Sequence, residues 1–205
     1  MMSATKYERN IYRIEAIVKA AFERAKATYP PESRDFERIK SFYTNKQDET
    51  TGEMKEVLNI YTNWFRLLEI HELNAVLVNI GRVSLSNRTA SEQTARTPYE
   101  IVICAKGEST RETSQTILTA ARVVREKLTA ASNSFFECDF KEVSEIEVSP
   151  EKMSQGVDNS TYGIITFNIT TREPLTDFAD PEDGARINDT SITANDETYK
   201  MYLEW

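Results

Sequence analysis

Asn74-Ala-Val-Leu-Val-Asn-Ile80 and Tyr99-Glu-Ile-Val-Ile-Cys-Ala105, two apolar runs inside the stretch 73–173, decide the fold. In the first, Val76, Val78 and Ile80 point one way and Ala75, Leu77 and Asn79 the other. In the second, Tyr99, Ile101 and Ile103 alternate with Glu100, Val102 and Cys104. Side chains alternate across a strand, so runs that are apolar on both faces predict strands at the centre of a sheet. A helix is predicted from about Ser109 to Ala130. Ser109-Thr-Arg-Glu112 supplies a capping box at its start, and Thr113, Ile117, Ala120, Ala121, Val124 and Leu128 make one inward stripe. Arg122, Arg125 and Lys127 fall in its second half, where cations complement the helix dipole. Two more extended runs follow at 135–148 and 162–171. Phe136, Cys138 and Phe140 alternate with charged neighbours in one, and Ile165, Phe167 and Ile169 oppose Ile164, Thr166 and Asn168 in the other. Strand, strand, helix, strand, strand gives an α+β fold. Its expected form is a small mixed or antiparallel sheet of about four strands, with helices packed on one face and an extended C-terminal arm.

Outward from this centre, residues 7–28 predict an amphipathic helix. Ile11, Ile14, Val18, Phe22 and Ala25 recur every three or four residues, and Tyr29-Pro30-Pro31 ends the run. Phe36, Ile39, Phe42 and Tyr43 suggest a short helical turn, and the polar 44–52 a surface loop. Met54, Val57, Leu58, Tyr61, Phe65 and Leu68 return to helical spacing, read either as a second helix on the core or as a partner surface. The segment 81–97 carries Arg82, Arg88 and Arg96 among hydroxyls and predicts a long loop, a length that is commonly functional. The expected organisation is one α+β domain over 1–175, with a helical and loop insertion at about 30–72, and an acidic arm over 176–205. That arm contains Asp177, Asp180 and Asp183, yet it ends in Tyr199-Lys-Met-Tyr-Leu-Glu-Trp205, too aromatic for a merely solvated tail. Tyr199, Tyr202 and Trp205 therefore predict docking, on the arm's own domain or on a neighbour.

Charge is unevenly placed. The chain has a net charge of −8, but residues 131–205 hold 16 acidic and 5 basic residues against 17 and 20 in residues 1–130. This asymmetry fits head-to-tail contact between copies, a negatively lined surface, or simply an acidic, soluble tail. Hydrophobic residues at 40% and charged residues at 28% are ordinary for a globular chain, and no run approaches the roughly 18 apolar residues of a membrane span. No apolar signal core follows the first residues, so export by that route is not expected, and the four Asn-x-Ser/Thr sequons are read as chance.

Bond-making chemistry is hard to find. The lone histidine, His71, has no second histidine or cysteine to complete a zinc site and no nucleophile context. Cys104 and Cys138 read as small hydrophobes within strands. Lys106-Gly-Glu-Ser-Thr110 has the topology of a phosphate turn but lacks the glycine-rich lysine motif, so a plain strand-to-helix turn is expected. The acidic cluster 177–183 does not follow a calcium loop. No catalytic, cofactor-binding or metal residues are predicted, and no cofactor.

The order of the pieces resembles the tail terminator (minor tail protein U-like) family of tailed bacteriophages. It is carried by the apolar strand ending in Gly81, the loop with hydroxyls and arginines, the strand 99–105 and the helix 110–128, with the N-terminal helix in outline. The resemblance spans roughly 73–172; Asn74 stands where proline is common in the family, the segment 30–72 is longer than its pattern, and the chain after Pro174 is additional. It implies a non-enzymatic virion protein of the tail and neck, assembled in the host cytoplasm. It also implies a homo-oligomer, usually a hexameric ring, that caps the tail tube and joins it to the head. The partners implied are the tail tube protein, a sheath protein and the head-completion or connector proteins. Genomic DNA would pass through without specific binding, and no membrane is involved. On that reading the contact residues are Arg82, Arg88, Arg96, Asp177, Asp180, Asp183, Tyr199, Tyr202 and Trp205. Two alternatives stay open: another head–tail joining protein with a similar core, and a small cytoplasmic enzyme or effector with no visible site.

Overall fold

Among the described residues, several stretches expected as loop or helix are strand. A computed structural model describes residues 5–47, 52–62, 74–87, 92–107, 109–149, 160–174, 191–194 and 197–200. Helices α1 (Lys6–Thr28), α2 (Arg34–Lys40) and α3 (Thr110–Ala130) accompany strands β1 (Tyr43–Gln47), β2 (Met54–Leu58), β3 (Ile60–Thr62), β4 (Ala75–Ile80), β5 (Ser84–Asn87), β6 (Glu92–Lys106), β7 (Cys138–Val143), β8 (Glu147–Ser149), β9 (Ser160–Pro174), β10 (Ser191–Ala194) and β11 (Glu197–Lys200). The main sheet is mixed and has seven strands rather than about four. Its order is β3-β4-β6-β9-β7, with β5 pairing β6 beyond the end of β4 and β8 pairing β9 beside β7. Among the described strands only the β3–β4 pair is parallel. The α+β class holds, and the two apolar runs are interior strands, as their two-faced hydrophobicity requires.

The helices pack on one face. Val76, Val78, Tyr99, Ile101, Ile103, Ile165, Phe167 and Ile169 share a buried cluster with the α1 stripe Ile11, Ile14, Val18, Phe22 and Ala25 and the α3 stripe Ile117, Ala120, Ala121, Val124 and Leu128. Ile39 and Phe42, at and after α2, join it, with Phe42 edge-on to Phe22 at 5.2 Å between ring centroids. On the opposite face Ala75, Leu77, Val102 and Cys104 form a smaller buried cluster, against which Tyr61, Tyr162 and Ile164 pack.

Helix ends follow local chemistry. Thr5 and Glu8 make a reciprocal capping box at the start of α1, and the helix stops at Tyr29, extended ahead of Pro30. Ser109 caps α3 by accepting the Glu112 N–H at 3.2 Å. At the other end of α3, Lys127 stands in the last turn as expected, while the other two predicted cations are employed elsewhere. Arg125 donates to the Ser144 carbonyl, and Arg122 reaches the Tyr29 hydroxyl and Asp35. The open carbonyls of Leu128 and Thr129 are met instead by Lys141 Nζ from β7, at 2.9 and 2.8 Å.

Four expectations need correction. The predicted helix over 54–68 is β2 and β3 as far as Thr62; 63–68 lie outside the described residues. The apolar spacing also fits a strand, and Asn59 settles the matter. Buried at 1% exposure, it donates to the Asn74 carbonyl and receives the Thr44 hydroxyl, while its backbone bonds Phe42 and Val76. The expected loop over 44–52 is strand through Gln47, since β1 and β2 pair in register from Tyr43↔Leu58 to Gln47↔Met54. Gly52, at φ 72°, takes the left-handed turn conformation that suits glycine. The expected loop over 81–97 is largely a hairpin, pairing Ser84↔Arg96 through Asn87↔Gln93. Its buried face is made of Gln93, Ala95 and Thr97, too polar or small to register as a hydrophobic run. Finally, Phe136 is buried in a turn before β7, whereas Phe140 is 58% exposed. The register shifts between Cys138 and Phe140, and this bulge breaks the predicted alternation.

In the segment predicted as an arm, the described residues form an antiparallel hairpin of β10 and β11, from Ser191↔Lys200 to Ala194↔Glu197.

Candidate functional site

Where β6 ends and α3 begins, the chain turns through Gly107 beside α2 and Asn74, the residue that leads into β4. Those four elements border an open polar cleft of about 620 Å³. Asn74 ties its floor together. The Asn74 side chain donates to Ser41 Oγ at 2.7 Å and accepts the Lys106 N–H at 2.6 Å. Arg38 is committed to the wall, donating to Asp35 at 2.9 Å and to Gln115. The remaining lining cations are not so engaged. Arg34, Lys106 and Arg111 are exposed at the rim and form no ion pair among the described residues. Glu37 and Glu112 share the lining, so the cleft is positive but not uniformly so.

Chemically this is a place to hold an anion. Its hydroxyls are already occupied: Ser41 donates to the Arg38 carbonyl and accepts from Asn74, and Ser109 accepts the Glu112 N–H. Among the described residues no carboxylate or imidazole bonds either one, so neither has the adjacent base that activates a nucleophile. The sequence drew attention to Lys106-Gly-Glu-Ser-Thr110 and read it as a plain turn. Arg34 and Arg111 were missed, because nothing in their spacing announces that α2 will lie against the first turn of α3.

A second polar cluster is structural. Glu173, 1% exposed at the end of β9, accepts the Lys6 N–H at 3.1 Å and the Thr171 hydroxyl at 2.6 Å. Tyr99 donates its hydroxyl to the Tyr7 carbonyl, and burial followed by the Glu173 charge pushes its phenol above the usual range. Asn10 donates to the Phe136 carbonyl at 2.9 Å. These bonds seat α1 on the sheet.

The predicted contact residues divide. Arg82 and Arg96 are both exposed: Arg96 lies on β6 opposite Ser84, and Arg82 two residues before Ser84 in the chain. Tyr199 is in β11, opposite Ile192. Arg88, Asp177, Asp180, Asp183, Tyr202 and Trp205 lie outside the described residues, as does His71. Burial pushes the Cys104 thiol up to about 12, the state of an inert core thiol, and raises Cys138 as well. Among the described residues no group of three or more His, Cys, Asp or Glu could hold a metal ion, and no helix is long and apolar enough to cross a membrane.

No protein-family model matches the chain, and no curated protein is significantly similar to it.

Proposed function

We propose that this chain is a structural protein of a tailed bacteriophage, a ring-forming tail terminator that caps the tail tube and joins it to the neck. The observation that carries the reading is the order of elements. After the N-terminal helix and the intervening α2 and β1–β3 come an apolar strand that stops just before Gly81, an arginine-bearing hairpin, a second apolar strand, a capped helix and closing strands. Apart from those intervening elements, and with a hairpin in place of the loop, that is the order the resemblance describes. The uneven charge supports it too, since a ring is built from heterologous contacts in which one face of a subunit meets a different face of the next. Acidic residues facing a central passage would repel phosphates and let DNA slide, whereas a basic lining would retain it.

On this reading the Arg82–Arg96 hairpin meets the tube or a neck partner, no chemistry is performed, and the ring is a hexamer resident in the virion neck. The test is polymerisation of the tube protein of the same virus, with and without this chain. Shorter tubes carrying a ring at one end are expected. Tubes of unchanged length with bare ends contradict the proposal.

A further inference from the structure

The cleft of Arg34, Lys106 and Arg111 has an anionic occupant available in the same polypeptide. We infer that it receives the acidic segment Asp177–Asp183 of a second copy, so that the arm of one subunit plugs the cleft of the next. This rests on the self-assembling role proposed above and names the two surfaces that meet.

Charge complementarity is the first argument. The three cations, unpaired among the described residues, belong to the basic part of the chain, residues 1–130, and Asp177, Asp180, Glu182 and Asp183 to the acidic remainder. Reach is the second, and it separates a neighbour from self. Strands β6 and β9 pair along their whole length, Lys106 opposite Ser160 at one end and Glu92 opposite Pro174 at the other. Lys106 lies on the cleft, so the arm departs from the far end of a ribbon roughly 45 Å long, at about 3.3 Å per residue. From Pro174, a fully extended chain gains at most ~3.3–3.6 Å per residue, roughly 10 Å by Asp177 and roughly 30 Å by Asp183. The segment falls short of its own cleft. A neighbour's cleft carries no such limit, and a contact between two different surfaces propagates from copy to copy until it closes.

The test uses three full-length proteins: wild type, a cleft-reversed variant (Arg34→Glu, Lys106→Glu, Arg111→Glu) and an arm-reversed variant (Asp177→Lys, Asp180→Lys, Asp183→Lys). Sedimentation velocity over a concentration series at low salt reads association, and thermal melts confirm folding. Each variant alone should need at least a tenfold higher concentration to associate. An equimolar mixture should regain wild-type assembly, because each reversed arm then finds a reversed cleft. Wild-type association should also weaken as salt screens the contact. If both variants associate like wild type, the inference fails and the ring proposal stands. Failure follows equally if arm reversal acts and cleft reversal does not, which would assign the arm to other cations such as Arg82 and Arg96. Loss in both variants without recovery on mixing overturns the contact between copies. A wild-type monomer at every concentration overturns this inference and the ring together. Should the triple cleft variant melt early, Lys106→Gln with Arg111→Gln is titrated with a labelled peptide spanning 174–190. At least a tenfold loss of affinity relative to wild type is expected, and an unchanged affinity overturns the assignment.

Discussion

Replacing Gly163 with alanine should destabilise the protein, although glycine inside a strand is ordinarily a weak point. Gly163 lies on β9 between Ile103 of β6 and Val148 of β8, so its backbone is clamped on both sides. Helix α3 lies directly above. A Cβ built at this position would come closer than 3.0 Å to Ile117 Cγ2, against the roughly 3.5–4.0 Å of a relaxed carbon contact. Ile117 is fully buried and cannot swing aside into solvent. Overpacking of this kind costs about 1–3 kcal/mol. Against that, alanine narrows the unfolded ensemble and returns about 0.4–1 kcal/mol. The net loss is then about 1–2 kcal/mol, which lowers the melting temperature of a chain this size by roughly 3–6 °C. Urea unfolding and calorimetry measure it. Ile117→Leu removes the offending methyl branch at nearly constant volume, so the double variant should recover at least half of the loss. A neutral or stabilising Gly163→Ala, or a double variant with purely additive losses, would refute the close approach of α3 to β9.

Three further outcomes are expected. Glu173→Ala strands the Lys6 amide and the Thr171 hydroxyl in a buried site and should cost on the order of 2–3 kcal/mol, with faster hydrogen exchange in the first turn of α1; unaltered exchange there would show that the carboxylate does not seat the helix. Burial raises the Glu15 carboxyl, but bonds from Lys19 and Thr62 outweigh that and hold it below its ordinary 4.5. A depressed carboxylate contributes stability that is present above its unfolded value and lost as pH falls through the folded one. Glu15→Gln should therefore have a lower urea midpoint than wild type at pH 7, with the gap closing below about pH 4.5; a gap independent of pH contradicts this linkage. In the folded protein Cys138, partly exposed, should be alkylated by iodoacetamide before Cys104, which reacts only on unfolding; mass spectrometry of the peptides reads the order, and Cys104 labelled first would contradict its burial.

Long elements with one strong period were legible in the sequence. The α1 and α3 stripes, the two-faced strands β4 and β6 and the alternation of β9 all follow from residue type and spacing alone. Ambiguity defeated the prediction where one set of apolar residues suited two periods. Met54, Val57, Leu58 and Tyr61 fit a helix face, and the ladders to β1 and β4, with the four-way bonding of Asn59 between them, select strands through partners distant in sequence. Polarity hid β5 and the first half of β6, whose inward residues Gln93, Ala95 and Thr97 do not look like a core. The bulge near Asp139 likewise inverted Phe140 without any local signal. The cleft is the extreme case. Lys106 and Ser109 stand in one short motif, but Arg34 joins them only because α2 lands against α3, which is a consequence of tertiary packing.

Ring formation shows as a mass, so the decisive measurement is the mass of the full chain in solution. Light scattering at several concentrations, alone and with the tail tube protein proposed as its partner, should give a closed oligomer of discrete mass, expected near six times 23.5 kDa. Particles at that mass should appear as rings by electron microscopy. A 23.5 kDa monomer at every concentration, indifferent to the tube protein, would contradict the proposed function.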